Sequence, residues 1–256
     1  MHPILPTTCE RSKIMHKIEF IGKTDVGRIR SNNEDTYTVN PQADYCLVAD
    51  GMGGAAAGEM ASQIFAQTAA EIFEAGPPLS EQLLVERVQK TFLEANDRIL
   101  EHVAKCPEHK GMGCTAELLA FTQTGFVVGH MGDSRTYRLR QGTFKQLTKD
   151  HSLVQDQIDQ GLITAEQARS HRMRNIILRA VGVRPSPALD TLRGPIFAGD
   201  LFLLCSDGLT DLVEDSSIIQ ILQENGNLTT KVDQLITLAN SSGGKDNITV
   251  VLAKIA

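Results

Sequence analysis

"TAELLAFTQTGFVVGHMGDSRTYRLR", residues 115–140, carries three apolar, β-rich runs separated only by QTG and GDS. Connections this short suit hairpins, because parallel strands need a crossover of a dozen or more residues. The stretch therefore predicts antiparallel pairing. Upstream, "KIEFIG", "DTYTV" and "YCLVA" are further strand signals bounded by Gly, Asn or Pro. Downstream, strands are expected near 188–193 and 201–205, with "NITVVLAKI" (247–255) closing the chain.

Helical periodicity separates these strand clusters. Over 57–75, Met60, Ile64, Thr68 and Ile72 recur every four residues beside Phe65, Ala69 and Phe73. A second stripe runs Leu84, Val88, Phe92, Ala95, Ile99, Val103 behind the N-cap candidate Ser80. Short helices are predicted at 151–160 and 164–171, the second opening on the capping-box pattern Thr164-x-x-Gln167. Later helices are predicted near 215–224 and 230–240, the last with Thr230-x-x-Asp233 as its capping box. Strands clustered at both ends beside helix pairs, without strict βαβ alternation, favour an α+β layered sandwich in one domain. Residues 1–16 read as a loose leader, 17–256 as the domain, and the polar region 151–182 as a surface excursion.

With 256 residues and 41% hydrophobic content the chain can bury a sizeable core. A net charge of −6 disfavours a general polyanion binder, so no nucleic-acid partner is expected. Five scattered cysteines without a CxxC pair suggest reduced core thiols. The N-terminus has no apolar core of a signal peptide, and the longest aliphatic run, "LFLLC", is far short of a membrane span. A cytoplasmic protein is expected. Familiar catalytic signatures fail: Gly22-Lys23-Thr24 lacks the upstream glycine of a P-loop, Gly132-Asp133-Ser134 misses the nucleophile elbow, and neither HExxH nor GxGxxG occurs.

Acidic residues instead recur where apolar strands meet glycine or a turn: "RIRSNNED" (28–35), "VADGMGG" (48–54), "VGHMGDSR" (128–135) and "LLCSDGL" (203–209), with "GGKDNITV" (243–250) at a strand start. A turn-capping aspartate explains any one of these. Taken together they point elsewhere. If Glu34, Asp50, Asp207 and Asp246 meet at one edge of the sheets, each pair about 4 Å apart repels by about 4 kcal/mol at an effective dielectric of 20. Cations must hold them, and oxygen-only ligands select Mg²⁺ or Mn²⁺ over zinc. Asp50 would bridge two ions, the Gly51 carbonyl would approach one, and Gly51, Gly53 and Gly54 would let the main chain curl. Two such ions sharing a water suit hydrolysis of a phosphate ester.

"DVGRIRSNNED", "VADGMGG", "GDSRTYRL", "CSDGLTD" and "GKDNITVV", in this order, resemble the successive motifs of the metal-dependent protein phosphatases of the 2C type in their compact bacterial form. The resemblance covers Lys17 to the C-terminus. It implies a four-layer α-β-β-α sandwich of two mostly antiparallel sheets flanked by helix pairs. It implies a serine/threonine phosphatase acting on phosphorylated proteins and opposing bacterial kinases, as a monomer. By position, Asp50 resembles the bridging ligand and Gly51 the carbonyl ligand, Asp207 and Asp246 ligands of the first ion, and Glu34 a group near the second. Asp35 and Asn247 resemble residues that orient those ligands, and Asp133 resembles the partner of Asp207 around a weaker third ion. Arg30 matches the arginine that grips the substrate phosphate, for which a guanidinium fork is suited. The region opening with "KDHSL" resembles the family's flap.

One departure concerns the proton for the leaving group. Where relatives have histidine after the "DG" pair or after "GMGG", this chain has Met52 and Ala55. Neither can deliver a proton. A metal-bound water is the first candidate, His151 a distant second, and His130 reads as structural. The competing readings are a catalytically silent phosphatase-like binding module and a two-metal phosphodiesterase.

Overall fold

The computed structural model describes residues 17–53, 57–74, 76 and 80–256; the leader 1–16, Gly54, Ala55 and Ala56 lie outside it. One sheet contains β1 (Ile18–Asp25), β11 (Ile248–Ile255), β10 (Leu201–Cys205), β7 (Arg135–Arg140) and β8 (Thr143–Gln146), side by side in that order. The second runs β2 (Asp35–Asn40), β3 (Tyr45–Met52), β5 (Ala116–Phe121), β6 (Gly125–Met131) and β9 (Asp190–Pro195), with the two-residue β4 (Gly113–Cys114) paired to the end of β3. All pairings are antiparallel. Helices α1 (Ala57–Phe73) and α2 (Glu81–Lys105) cover the second sheet. The first is covered by α5 (Asp207–Thr210), α6 (Asp215–Gln223) and α7 (Leu228–Ser241). The result is the expected α-β-β-α sandwich.

The period-two alternation of side chains builds three separate cores. Tyr45, Leu47 and Ala49 of β3 face α1 and α2 with Phe65, Phe73 and Phe92. Cys46 and Val48 point the other way and meet Phe121, Phe202, Leu204 and Val251 between the sheets. Leu203, Val250 and Leu252 face α7 across the third core. The central strands β3, β5, β6, β10 and β11 are thus buried on both faces, which explains their near-continuous apolar runs in the sequence.

The QTG turn is a hairpin joining β5 to β6, as its length predicts. The GDS turn is not. Strand β6 already has β5 on one edge and β9 on the other, so the chain after Met131 crosses to the other sheet, where β7 lies between β10 and β8. The Thr230 capping box is also corrected. Helix α7 begins two residues earlier at Leu228, and its cap is Asn227, whose side chain accepts from the Thr230 amide at 2.8 Å. Thr164 does cap α4 (Ala165–Arg169): its hydroxyl accepts from the Gln167 amide, and its own amide donates to the Gln167 side chain.

Between the sheets the apolar layer is interrupted by Glu117 and His130, both wholly buried and paired with one another. Burial pushes the Glu117 carboxyl up; burial is also the largest single influence on His130 and would lower it, but the Glu117 charge, the hydrogen bonds to Glu117 and the Lys149 carbonyl and the Asp150 charge together outweigh it, and His130 is raised. Thr136, from the opposite sheet, donates to the same carboxylate. His130 Nε2 reaches the Lys149 carbonyl at 2.8 Å and ties the pair to the chain entering α3 (Leu153–Asp159).

The excursion 151–182 closes at its base, where Leu178 donates to the His151 carbonyl and Leu153 to that of Ile176.

Candidate metal centre

The same strand parity leads to the centre. Tyr37 and Val39 of β2 pack against the inter-sheet layer, so Asp35, two residues before Tyr37, points into that layer at its edge. On β3, Asp50 continues the row Cys46, Val48. Ser206 continues the row Phe202, Leu204, and Thr249 precedes Val251, Ala253 on β11. The layer is hydrophobic in its middle and polar at this end.

Asp35 and Asp50 are register partners across β2 and β3. One Asp35 oxygen accepts from Ser206 Oγ at 2.7 Å and Thr249 Oγ1 at 2.6 Å, while the other, buried, has no partner. Burial pushes the Asp35 carboxyl up to about 6 despite those hydroxyls. Asp50 lies well above the ordinary carboxylate range, first through desolvation and then through Asp35, Asp207, Asp133 and Asp246. Asp207, at the start of α5, is pushed up in the same way by burial, Asp133, Asp211 and Asp246. Asp133 reaches about 7, mainly through burial. Four motifs far apart in sequence therefore deliver mutually repelling carboxylates to one place.

Loop contacts fix the remaining residues. Asn247 Oδ1 accepts from the Glu34 amide at 2.8 Å, and its Nδ2 donates to the carbonyls of Val26 and Asn32. It binds the loop 26–34 to the start of β11. The Glu34 carboxylate is buried and accepts from Asn32 Nδ2 at 3.3 Å, and the Glu34 carbonyl accepts from Gly51 N and Ser62 Oγ. Gly51 must be glycine, since a Cβ there would overlap the backbone of Gly58 and Glu34. Arg30 Nη2 lies 2.7 Å from Asp246 Oδ2.

Do these residues suit hard cations? Buried oxygens of Asp35, Asp133 and Asp207 have no hydrogen-bond partner, the donors are all oxygen, and the repulsion needs positive charge. The set fits Mn²⁺ or Mg²⁺. Among the described residues, no three His, Cys, Asp or Glu side chains already close on one point; Asp246 is turned to Arg30 and Glu34 to Asn32.

Several contributors escaped the sequence reading. Ser206 and Thr249 hold Asp35, and Thr115 donates its amide to the Asp50 carbonyl at 2.9 Å. A polar residue at the end of an otherwise apolar strand was the available signal for all three. Asp211 adds charge beside Asp207 and Asp133 and faces Arg174 of the excursion at 3.4 Å. A cavity of about 330 Å³ runs from Asp133 and Asp207 under α3 and α4 to Asp211 and Glu214. His151 does not face the carboxylates: its Nδ1 accepts from the Gly132 amide at 3.2 Å and its Nε2 lies 3.1 Å from Asp190.

Residues 28–244 match the family model described as Protein phosphatase 2C. The chain is 39% identical over 236 residues to the serine/threonine phosphatase stp of Listeria innocua, covering 91% of this chain and 94% of that one. Its structure resembles that of the Mycobacterium tuberculosis serine/threonine phosphatase PstP/Ppp with a TM-score of 0.87 and 37% identity, over 93% of this chain and 98% of the other. The catalytic domain of PstP in complex with two manganese ions matches with a TM-score of 0.85 and 36% identity, over the same shares.

Proposed function

This chain belongs to the protein phosphatase 2C family, and from that premise we propose that it hydrolyses phosphoserine and phosphothreonine monoesters of proteins with two Mn²⁺ or Mg²⁺ ions. The observation that carries the reading is the gathering of Asp35, Asp50, Asp133, Asp207 and Asp246 at one end of the inter-sheet layer. Asp50, the Gly51 carbonyl, Asp207 and Asp246 would hold the ions with Glu34 alongside, and Asp133 with Asp207 would hold a weaker third. Bound there, the ions supply Lewis-acid activation of water and neutralise the phosphate.

The chain's own residues do the rest. Asp35, gripped by Ser206 and Thr249, braces Asp50 from the adjacent strand. Asn247 joins the Glu34 and Asp246 loops, so the two move together. Arg30, half-exposed beside Asp246, presents a guanidinium fork to two phosphate oxygens as the substrate enters. A water oxygen forms a bond to phosphorus, the ester P–O bond breaks, and the departing serine or threonine oxygen takes up a proton. Met52 cannot give that proton and both His151 nitrogens are engaged elsewhere, so it comes from water at the centre.

Residues 17–256 act as one catalytic domain with 151–182 as its flap. Its substrates are phosphoproteins, among them bacterial kinases and their targets, and it acts in signal transduction as a cytoplasmic monomer. Among the described residues no helix is long and apolar enough to cross a membrane. The test is Mn²⁺-dependent phosphate release from an aryl phosphate and a phosphothreonine peptide. Asp207→Asn is expected to lower the rate at least 100-fold, and a rate within twofold of wild type would refute the assignment.

A further inference from the structure

Arg28, Ile29 and Arg30 are three successive exposed side chains on the turn between β1 and β2. Ile29 is 71% exposed, more than any other large hydrophobic among the described residues. The turn is not loose. The Arg28 amide donates to the Gly244 carbonyl at 2.7 Å, Gly27 N to Asp25 Oδ1 at 2.9 Å, and the Val26 carbonyl accepts from Asn247. The Arg28 stem crosses Gly244 so closely that a Cβ there would come within 3.0 Å of its Cγ. Lys245, the next residue, is also exposed. Arg28 and Lys245 therefore rise from one seam between two loops.

Their charges are uncommitted. Arg30 pairs with Asp246 and Lys23 with Asp233, but among the described residues neither the Arg28 guanidinium nor the Lys245 ammonium has a hydrogen-bond or ion-pair partner. Two free cations held beside a carboxylate-rich centre, on a chain of net charge −6, form a local positive lip. Residues 28 and 30 can be at most about 7 Å apart along the chain, so a phosphate held at Arg30 puts the neighbouring substrate residues within reach of Arg28.

We propose that Arg28 and Lys245, with Ile29 between the two arginines, form a docking lip that selects phosphopeptides whose residues flanking the phosphorylated one are acidic. The proposal rests on the phosphatase reading and names its substrate preference. The lip attracts the carboxylates that the metal-site aspartates alone would repel. Ile29 covers the peptide backbone at the point where it bends into the centre. Exposed pairs are screened by salt, so the preference is electrostatic in character.

The experiment compares kcat/KM, with Mn²⁺ present, on three phosphothreonine peptides with acidic, neutral and basic flanks, and on an aryl phosphate too small to reach the lip. Wild type is expected to favour the acidic over the neutral peptide at least fivefold in 50 mM salt and less than twofold in 500 mM. Arg28→Ala with Lys245→Ala should bring the low-salt ratio to about one while the aryl phosphate rate stays within twofold. Arg28→Glu should turn the preference towards the basic peptide. A wild-type ratio near one, or a ratio unchanged in both variants, overturns the lip while leaving the phosphatase reading intact. Absence of hydrolysis of every substrate, the aryl phosphate included, refutes both.

Discussion

Asp35 and Asp50 stand directly opposite each other where β2 meets β3, and both carboxyls are pushed upward, Asp35 by burial and then the charge of Asp246, Asp50 by burial and then the charge of Asp35. A pair like this destabilises the sandwich that holds it unless a cation offsets the charge. Mn²⁺ at 100 times its dissociation constant should add about 2.7 kcal/mol, which for a chain of this size raises Tm by roughly 5–10 °C. Asp50→Asn should melt higher than wild type in EDTA, because repulsion is relieved, and should gain little from Mn²⁺. Thermal melts with EDTA and with Mn²⁺ check both signs.

Gly208 sits where α5 leaves β10, and a Cβ there would overlap the carbonyl oxygen of Asn247. Backbone on both sides cannot rotate out of the way. Gly208→Ala should cost about 1–3 kcal/mol in urea unfolding. Because the strain falls between Asp207 and Asp246, Mn²⁺ affinity should drop at least tenfold with the far-UV spectrum unchanged. Equal affinity would mean that these two aspartates do not share ions.

His151 is held down to about 4, first by burial and then by the neighbouring His130. Its folded value is below that of the unfolded chain, about 6.5, so the folded protein binds the proton less readily. Stability from this group is complete above pH 6.5, declines as pH falls, and is lost by about pH 4. His151→Gln should flatten the fall in Tm between pH 6.5 and 5, measured in EDTA so that metal release does not contribute. A wild-type slope retained in the variant would place the acid sensitivity elsewhere.

Much of this arrangement was legible from residue order. The α2 stripe, the Phe65, Ala69 and Phe73 face of α1, the Ser80 and Thr164 caps, and the strands that carry Asp50 and end in Cys205 follow from periodicity and local hydrogen bonding, whereas Met60, expected on the α1 stripe, is exposed. The acidic motifs could be grouped because each sets a carboxylate at one end of an apolar strand, Asp50, Asp133 and Asp207 towards its C-terminal end and Asp35 and Asp246 at its start. What local pattern could not convey was pairing. The GDS turn has hairpin length, and only the occupied edges of β6 send it to the other sheet. Ser206 and Thr249 read as ordinary polar residues until strand parity brings them to Asp35. The Glu117–His130 pair is invisible along the chain, since thirteen positions separate the partners and both lie in otherwise apolar strands.

The central claim is that these carboxylates form one cage for hard cations. Calorimetric titration of the metal-free protein with Mn²⁺ tests it most directly. Two ions per chain are expected to bind, with a weaker third, and Asp50→Asn should lose both of the stronger sites while remaining folded. Failure of the wild-type protein to bind Mn²⁺, or two undiminished sites in Asp50→Asn, would contradict it.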